Sequence, residues 1–239
     1  MIINLVSNPR NLSTALMYSF AQRSDTTVID EPHYGVYLTK TGYDHPGRED
    51  ILNALPHSEQ AAMQAIDDAH TKPVLFLKNM AHHIRLLDST DWMRNCFHVL
   101  YIRDPRRIIA SFSQVITAPT VQDVGMDDQY QVWQYLRDNQ LPYCVLNSDD
   151  LLQDAEATLS KLCSVIGIPF EPQMLHWPSG PKAYDGVWWP YWYASVHKST
   201  GFISKLSAMP VLGDDLLALA EQCHPYYDAL QNDVSRIYP

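Results

Sequence analysis

Met1-Ile2-Ile3-Asn4-Leu5-Val6-Ser7-Asn8-Pro9-Arg10-Asn11-Leu12-Ser13-Thr14 is the stretch whose reading decides the fold. Ile2 to Val6 is a short apolar run of the kind that forms a buried strand, too short to span a bilayer and without the basic leader of a secretory signal. A polar turn follows, and then an apolar helix with Leu12, Ala15, Leu16 and Phe20 on one side. Such a turn offers free backbone N–H groups and the positive end of a helix dipole, to which Arg10, Ser13 and Thr14 add a charge and two hydroxyls. That chemistry suits a phosphate or sulfate group. Helix capping by Asn11 or Ser13 explains the same polar residues without any ligand.

Working outward, further apolar runs at Thr27 to Ile29, Val74 to Leu77, His98 to Ile102 and Tyr143 to Leu146 read as core strands. Helical patterns separate them, at Leu12 to Arg23, Ser58 to Ala69, Pro105 to Thr117, Asp128 to Asn139 and Ala155 to Ile166. This alternation predicts an α/β fold with a mainly parallel central sheet covered by helices on both faces, in three α/β/α layers. Residues 169–202 are rich in proline and aromatics and hold four of the six tryptophans, so they read as an irregular covering segment. A last helix is expected over about 214–234. With no internal repeat or flexible linker, residues 1–239 read as one domain.

The chain has 239 residues, with 17 Lys and Arg against 27 Asp and Glu, for a formal charge of -10. That balance argues against a chain-wide grip on nucleic acid or an anionic membrane. Only 9 residues are glycine and none precedes Tyr34, so neither G-x-G-x-x-G nor G-x-x-x-x-G-K-[ST] can lie near the start. Cys96, Cys144, Cys163 and Cys223 form no C-x-x-C pair, which points to reduced thiols and a cytoplasmic location and offers no zinc cluster.

Ligands of parallel sheets bind beyond the carboxyl ends of the strands, and there the polar residues gather. The second strand is followed by Asp30-Glu31-Pro32-His33 and the third by Lys78-Asn79-Met80-Ala81-His82-His83. A carboxylate or imidazole there could act as general base, and Lys78 could neutralise charge on a transferring group. Solvated loops and satisfied hydrogen bonds account equally well for any one of them. His82 and His83 are adjacent and lack a third partner at metal-binding spacing, so no metal is expected. The fourth strand leads into Arg103-Asp104-Pro105-Arg106-Arg107, with Ser111 about two helical turns on. A solvated basic helix face offset by Asp104 is the plain alternative.

Pro9-Arg10-Asn11-Leu12-Ser13-Thr14 after the first strand, together with Arg103 and Ser111 separated by seven residues after a later one, resembles the two signatures of the sulfotransferases that use 3′-phosphoadenosine 5′-phosphosulfate. The resemblance spans roughly residues 1 to 205, because Val196-His197-Lys198-Ser199-Thr200-Gly201-Phe202 looks like the family's late loop over the nucleotide 3′-phosphate. It is nearest the compact bacterial-type members, including domains that occur beside branched-chain aminotransferases, although nothing in the residues suggests pyridoxal phosphate chemistry. The fold implied is P-loop NTPase-like.

Carried over residue by residue, the resemblance implies that Arg10 and the N–H groups of Asn11, Leu12, Ser13 and Thr14 hold the 5′-phosphosulfate. Arg103 and Ser111 would take the 3′-phosphate, with Lys198, Ser199, Thr200 and Gly201 completing that pocket. Leu12 stands where the family usually has Gly, so the loop's backbone is open to question there. Sulfuryl transfer depends on positioning and charge stabilisation, with no metal expected and adenosine 3′,5′-bisphosphate as the product. The resemblance implies Glu31 as the leading base, with His33, His82 and His83 as alternatives, and Lys78 at the bridging oxygen. The acceptor would be a hydroxyl or amine on a small molecule. Tyr184 to Tyr193, with six aromatics in ten residues, reads either as a roof over the acceptor or as a packing cover, or as part of a contact in a homo-oligomer. The rival readings are an NTP-dependent small-molecule kinase and a non-catalytic nucleotide-binding module of the same fold.

Overall fold

The computed structural model describes residues 1–202 and 208–238, so the last residues of the stretch read as family-like, 203 to 205, lie outside the described residues. Five strands form one sheet: β1 (Ile2–Ser7), β2 (Thr26–Asp30), β3 (Val74–Met80), β4 (Cys96–Ile102) and β5 (Tyr143–Asn147). Their order is β2-β3-β1-β4-β5 and every pairing is parallel. All five expected strands are present. The helices are α1 (Ser13–Ala21), α2 (Tyr34–Thr41), α3 (Arg48–Ala54), α4 (Glu59–Ala69), α5 (Ala81–Arg85) and α6 (Pro105–Phe112). After them come α7 (Val121–Val124), α8 (Met126–Asp138), α9 (Ser148–Gln153), α10 (Ala155–Ile166), α11 (Trp189–Trp192) and α12 (Asp214–Gln231).

The central strand is buried on both faces, which is why β1 reads as an almost unbroken apolar run. Ile3 and Leu5 pack with Leu16 and Phe20 of α1 and with Leu159 and Leu162 of α10. On the opposite face Val6, Leu100 and Val145 meet Ile84, Val132, Leu136 and Leu230. Asn4 interrupts the apolar run and joins a buried polar ladder across three strands. Its Nδ2 lies 3.0 Å from His98 Nδ1, and its Oδ1 accepts from Asn79 Nδ2 at 2.9 Å. Burial pushes the His98 imidazole down to about 4, so it is neutral within the sheet.

Three boundaries correct the sequence reading. The helix expected over Pro105 to Thr117 ends at Phe112, with Ser113 as its C-cap. The third strand does not stop at Leu77 but runs on to Met80, pairing Lys78 with Leu5 on one side and Asp30 on the other. A lysine can occupy a buried strand here because two carboxylates meet it. Helix α12 ends at Gln231, short of Val234, with Asn232 as its C-cap. Residues 169–202 contain no strand, only short helical turns at Pro172–Leu175, Trp189–Trp192 and Val196–Lys198 and an isolated bridge between His176 and Gly201. They run over the carboxyl end of the sheet. No helix among the described residues is long and apolar enough to cross a membrane.

Candidate active site at the carboxyl edge of the sheet

A cavity of about 730 Å³ opens where β1 to β4 end. Its floor is the β1–α1 loop. Arg10 and Leu12 both have left-handed backbones, with φ of 61° and 59°. Leu12 therefore adopts the conformation that a glycine would take without strain, at a cost on the order of 1 kcal/mol for a side chain with a Cβ. Its side chain packs against the core beneath α1, an apolar contact that glycine lacks. The loop is fixed to its surroundings at several points. Asn11 Nδ2 donates to the Tyr101 carbonyl in β4, and Asn8 Nδ2 donates to the Gly125 carbonyl at 2.8 Å. Arg103 Nη1 donates to the Arg10 carbonyl at 2.8 Å. Helix α1 begins with no side-chain cap, so its first N–H groups remain available beside the cavity that residues 9–15 line.

The basic groups converge on this loop from α6. Asp104 caps that helix by accepting from the Arg106 N–H at 2.9 Å, with Pro105 at its first position. The start of the helix is thereby set, and Arg103, Arg107 and Ser111 are brought to the cavity wall. Arg10 Nε donates to Ser111 Oγ at 2.9 Å, and Arg10 Nη1 to the Trp192 carbonyl at 2.9 Å. Burial lowers the pKa of both Arg10 and Arg103, and Arg103 Nε is buried with no partner. That orphan donor and the uncapped helix start together make a donor set suited to two anionic groups.

The other end is built from β2, β3, α2 and α5. Lys78 Nζ donates to Asp30 Oδ1 and Glu31 Oε1, both at 2.6 Å, and to Tyr193 Oη at 2.7 Å. Burial works against the lysine's charge, but the two carboxylates outweigh it and raise its pKa. Asp30 Oδ2 accepts from Tyr193 Oη at 2.6 Å and from the Gly186 N–H at 3.0 Å, while Trp188 Nε1 donates to Tyr193 Oη at 3.1 Å. The covering segment is thus tied to the strand ends through one buried polar cluster. Burial pushes the Glu31 carboxyl up to about 7, with Lys78 opposing and Asp30 adding to the rise. Its second oxygen lies 3.7 Å from His83 Nδ1.

Of the residues read from sequence, Arg10, Asn11, Leu12, Ser13, Thr14, Glu31, Lys78, His82, His83, Arg103, Ser111, Ser199 and Gly201 line the one cavity. His33, Lys198 and Thr200 do not line it. His33 is fully buried against Trp92, with burial pushing its imidazole down to about 4. Lys198 and Thr200 are exposed. Gly201 sits where a Cβ would come within 2.8 Å of the Leu175 carbonyl, so its role is close approach of two backbones. Tyr34 and Tyr37 took no part in the sequence reading of the site, whereas Asp30, Arg107 and Tyr193 lay in stretches quoted for it without a role of their own.

A parallel sheet in the order 2-3-1-4-5, with a tight loop and an uncapped helix start after its central strand and basic groups after the neighbouring one, defines a P-loop-like α/β fold. The family model for the sulfotransferase domain matches residues 1–234, and the chain belongs to the sulfotransferase family. It is similar to branched-chain-amino-acid aminotransferase-like proteins 1 and 2 of Arabidopsis thaliana, at 37% identity over 237 residues and 36% over 234. Those matches cover 98% and 96% of this chain but 42% and 41% of the relatives, so the chain spans about two-fifths of their length. Among solved structures, the sulfotransferase from Alicyclobacillus acidocaldarius matches with a TM-score of 0.56 at 12% identity, covering 98% of this chain and 96% of that one. The sulfotransferase domain from the curacin biosynthetic pathway matches at 0.53 and 17%, covering 93% and 97%. These structural likenesses establish the fold.

Proposed function

We propose that the protein transfers a sulfuryl group from 3′-phosphoadenosine 5′-phosphosulfate to a small-molecule acceptor bound in the same cavity. The observation that carries this reading is the union, in one cavity, of the anion cradle at Arg10 to Thr14, the Arg103 and Ser111 pair, and a buried carboxylate beside a lysine. The donor brings an activated sulfuryl group. The N–H groups at the start of α1 and Arg10 hold its 5′ end, and Arg103 and Ser111 hold its 3′-phosphate, with Ser199 and Gly201 on the wall of the same cavity.

Glu31 accepts the proton of the acceptor as the new O–S bond forms, and the bond from sulfur to the 5′-phosphate oxygen breaks with its electron pair passing to the departing bisphosphate. A carboxylate with a pKa near 7 is matched to this task at neutral pH. Lys78 stands 2.6 Å from Glu31 and supplies the positive charge next to the reacting groups. Sulfuryl oxygens carry less charge than phosphoryl oxygens, so fixed N–H, Arg and Lys donors can meet the demand. His83, neutral, lies 3.7 Å from Glu31 without a hydrogen bond to it and adds to the burial of that carboxylate.

The reading is tested by calorimetry with adenosine 3′,5′-bisphosphate against ATP. Binding of the bisphosphate at least tenfold tighter than ATP is expected. Tight ATP binding with no response to the bisphosphate would overturn it in favour of a kinase.

A further inference from the structure

The acceptor end of the cavity has an aromatic character that the proposed transfer does not by itself require. Tyr34, Tyr37, Tyr43, His45, His82 and His83 all line it. Their rings form a continuous wall: Tyr34 stacks on His83 at 4.4 Å between centroids, Tyr37 meets His83 at 4.6 Å and His82 at 4.9 Å, and Tyr43 stacks on His45 at 6.1 Å. Burial lowers the pKa of His45, His82 and His83, so these imidazoles are uncharged near neutrality.

The fixed charges of this end are negative. Asp44 and Asp123 line it along with Glu31, and both aspartates act electrostatically on His45. Asp123 also acts on Tyr37, as does Asp128. Lys78 lies between Asp30 and Glu31 and is outnumbered by them. Arg10, Arg103 and Arg107, the other basic residues among the described cavity lining, belong to the β1–α1 and α6 side. Nδ1 of His82 and Nδ1 of His83 are buried away from the cavity, the first against Gly125 and the second 3.7 Å from Glu31 Oε2, so the imidazoles offer the pocket their ring faces and edges.

On the sulfuryl-transfer reading, we infer that the acceptor is a small organic cation bearing a hydroxyl group, an amino alcohol or a quaternary ammonium alcohol. Its ammonium group sits against the tyrosine faces under the field of Asp44 and Asp123, the arrangement that favours cations over neutral groups of equal size. Its hydroxyl reaches Glu31. A protonated amine has no lone pair to attack sulfur, so the hydroxyl is the nucleophile. The O–H proton goes to the Glu31 carboxylate and the oxygen takes the sulfuryl group.

The experiment compares choline with its neutral carbon isostere, 3,3-dimethylbutan-1-ol, by calorimetry on the full chain, with and without adenosine 3′,5′-bisphosphate. Choline is expected to bind at least about tenfold more tightly, the range of a partly desolvated cation–π contact plus nearby carboxylates. Tyr43→Leu, at a half-exposed position where folding is little disturbed, is expected to reduce that preference severalfold. Equal affinities, or tighter binding of the neutral isostere, would overturn the inference. Failure of the bisphosphate to bind while choline keeps its preference would instead remove the sulfotransferase reading and leave a cation site standing.

Discussion

As the proposed base, Glu31 sets folding and reaction in opposition. Burial raises its pKa from 4.5 to about 7, so folding favours the protonated form. The contribution of this group to stability is therefore fully present below about pH 4.5 and is lost as pH rises through about 7. Proton abstraction needs the ionised form, so activity should run the other way. The expected kcat/KM climbs about tenfold per pH unit up to about 7 and then levels off. Glu31→Gln should lower kcat by roughly 10²–10⁴-fold and abolish that limb. A pH-rate profile that keeps a limb near 7 in the variant would pass the base to another group. At this scale the sequence was informative where a residue's chemistry is rare in its position: Arg10, Lys78, Arg103 and Ser111 were identifiable, and all four line the cavity. Leu12 shows where residue type misleads. A leucine argues against positive φ, yet the loop holds φ at 59°, because its hydrogen bonds and the leucine's own packing fix what glycine's freedom would otherwise permit.

Among elements, the strands were legible because each is a short apolar run, and β1, β3 and β4 in the middle of the sheet are buried on both faces. Helices α2 and α5 were not. Tyr34-Gly35-Val36-Tyr37-Leu38 combines aromatic and β-branched residues with a glycine, and such a segment becomes helical through tertiary packing, not propensity. Gly35 is there for proximity, since a Cβ would fall 2.5 Å from the Pro56 carbonyl. These two helices build the aromatic wall, so the acceptor end was the part of the site hidden from the sequence. The covering segment was visible as irregular, but not what fastens it. Tyr193 Oη donates to Asp30 while accepting from Lys78 and from Trp188, at distances between 2.6 and 3.1 Å. Tyr193→Phe removes all three contacts and leaves Trp188 Nε1 unpartnered in a fully buried position. The expected cost is about 1–3 kcal/mol, or a drop in Tm of several degrees for a chain of this size. Thermal unfolding followed by near-UV circular dichroism checks it. A shift below about 2 °C would mean that packing alone holds the segment over the sheet.

At the scale of the molecule, the charge distribution separates the site from the surface. The formal charge is -10, with 17 basic residues in all. Four of those, Arg10, Lys78, Arg103 and Arg107, are drawn into the wall of a single cavity. Lys78 and Arg107 are buried there, and the other two are partly so. Arg106, next to them in sequence, is turned back onto Asp104 at 3.1 Å, which uses the exposed member of the cluster locally. The outer surface keeps the whole acidic excess, because the buried charges balance, Arg23, Lys78 and Arg107 against Asp30, Glu31 and Asp104, while the field inside the cavity favours a compact anion at the α1 end. A polyanion must approach over that surface, and within about one Debye length, roughly 10 Å at 0.1 M ionic strength, it meets mostly carboxylates. A small nucleotide can enter the cavity and pair with the arginines directly. The protein is accordingly expected to pass unretained through a heparin column at about 0.15 M ionic strength while still binding adenosine 3′,5′-bisphosphate at the same salt concentration. Retention on heparin would mean that the cavity's arginines project a field beyond its mouth, and a sulfated or phosphorylated polymer would then displace the small molecule as the proposed acceptor.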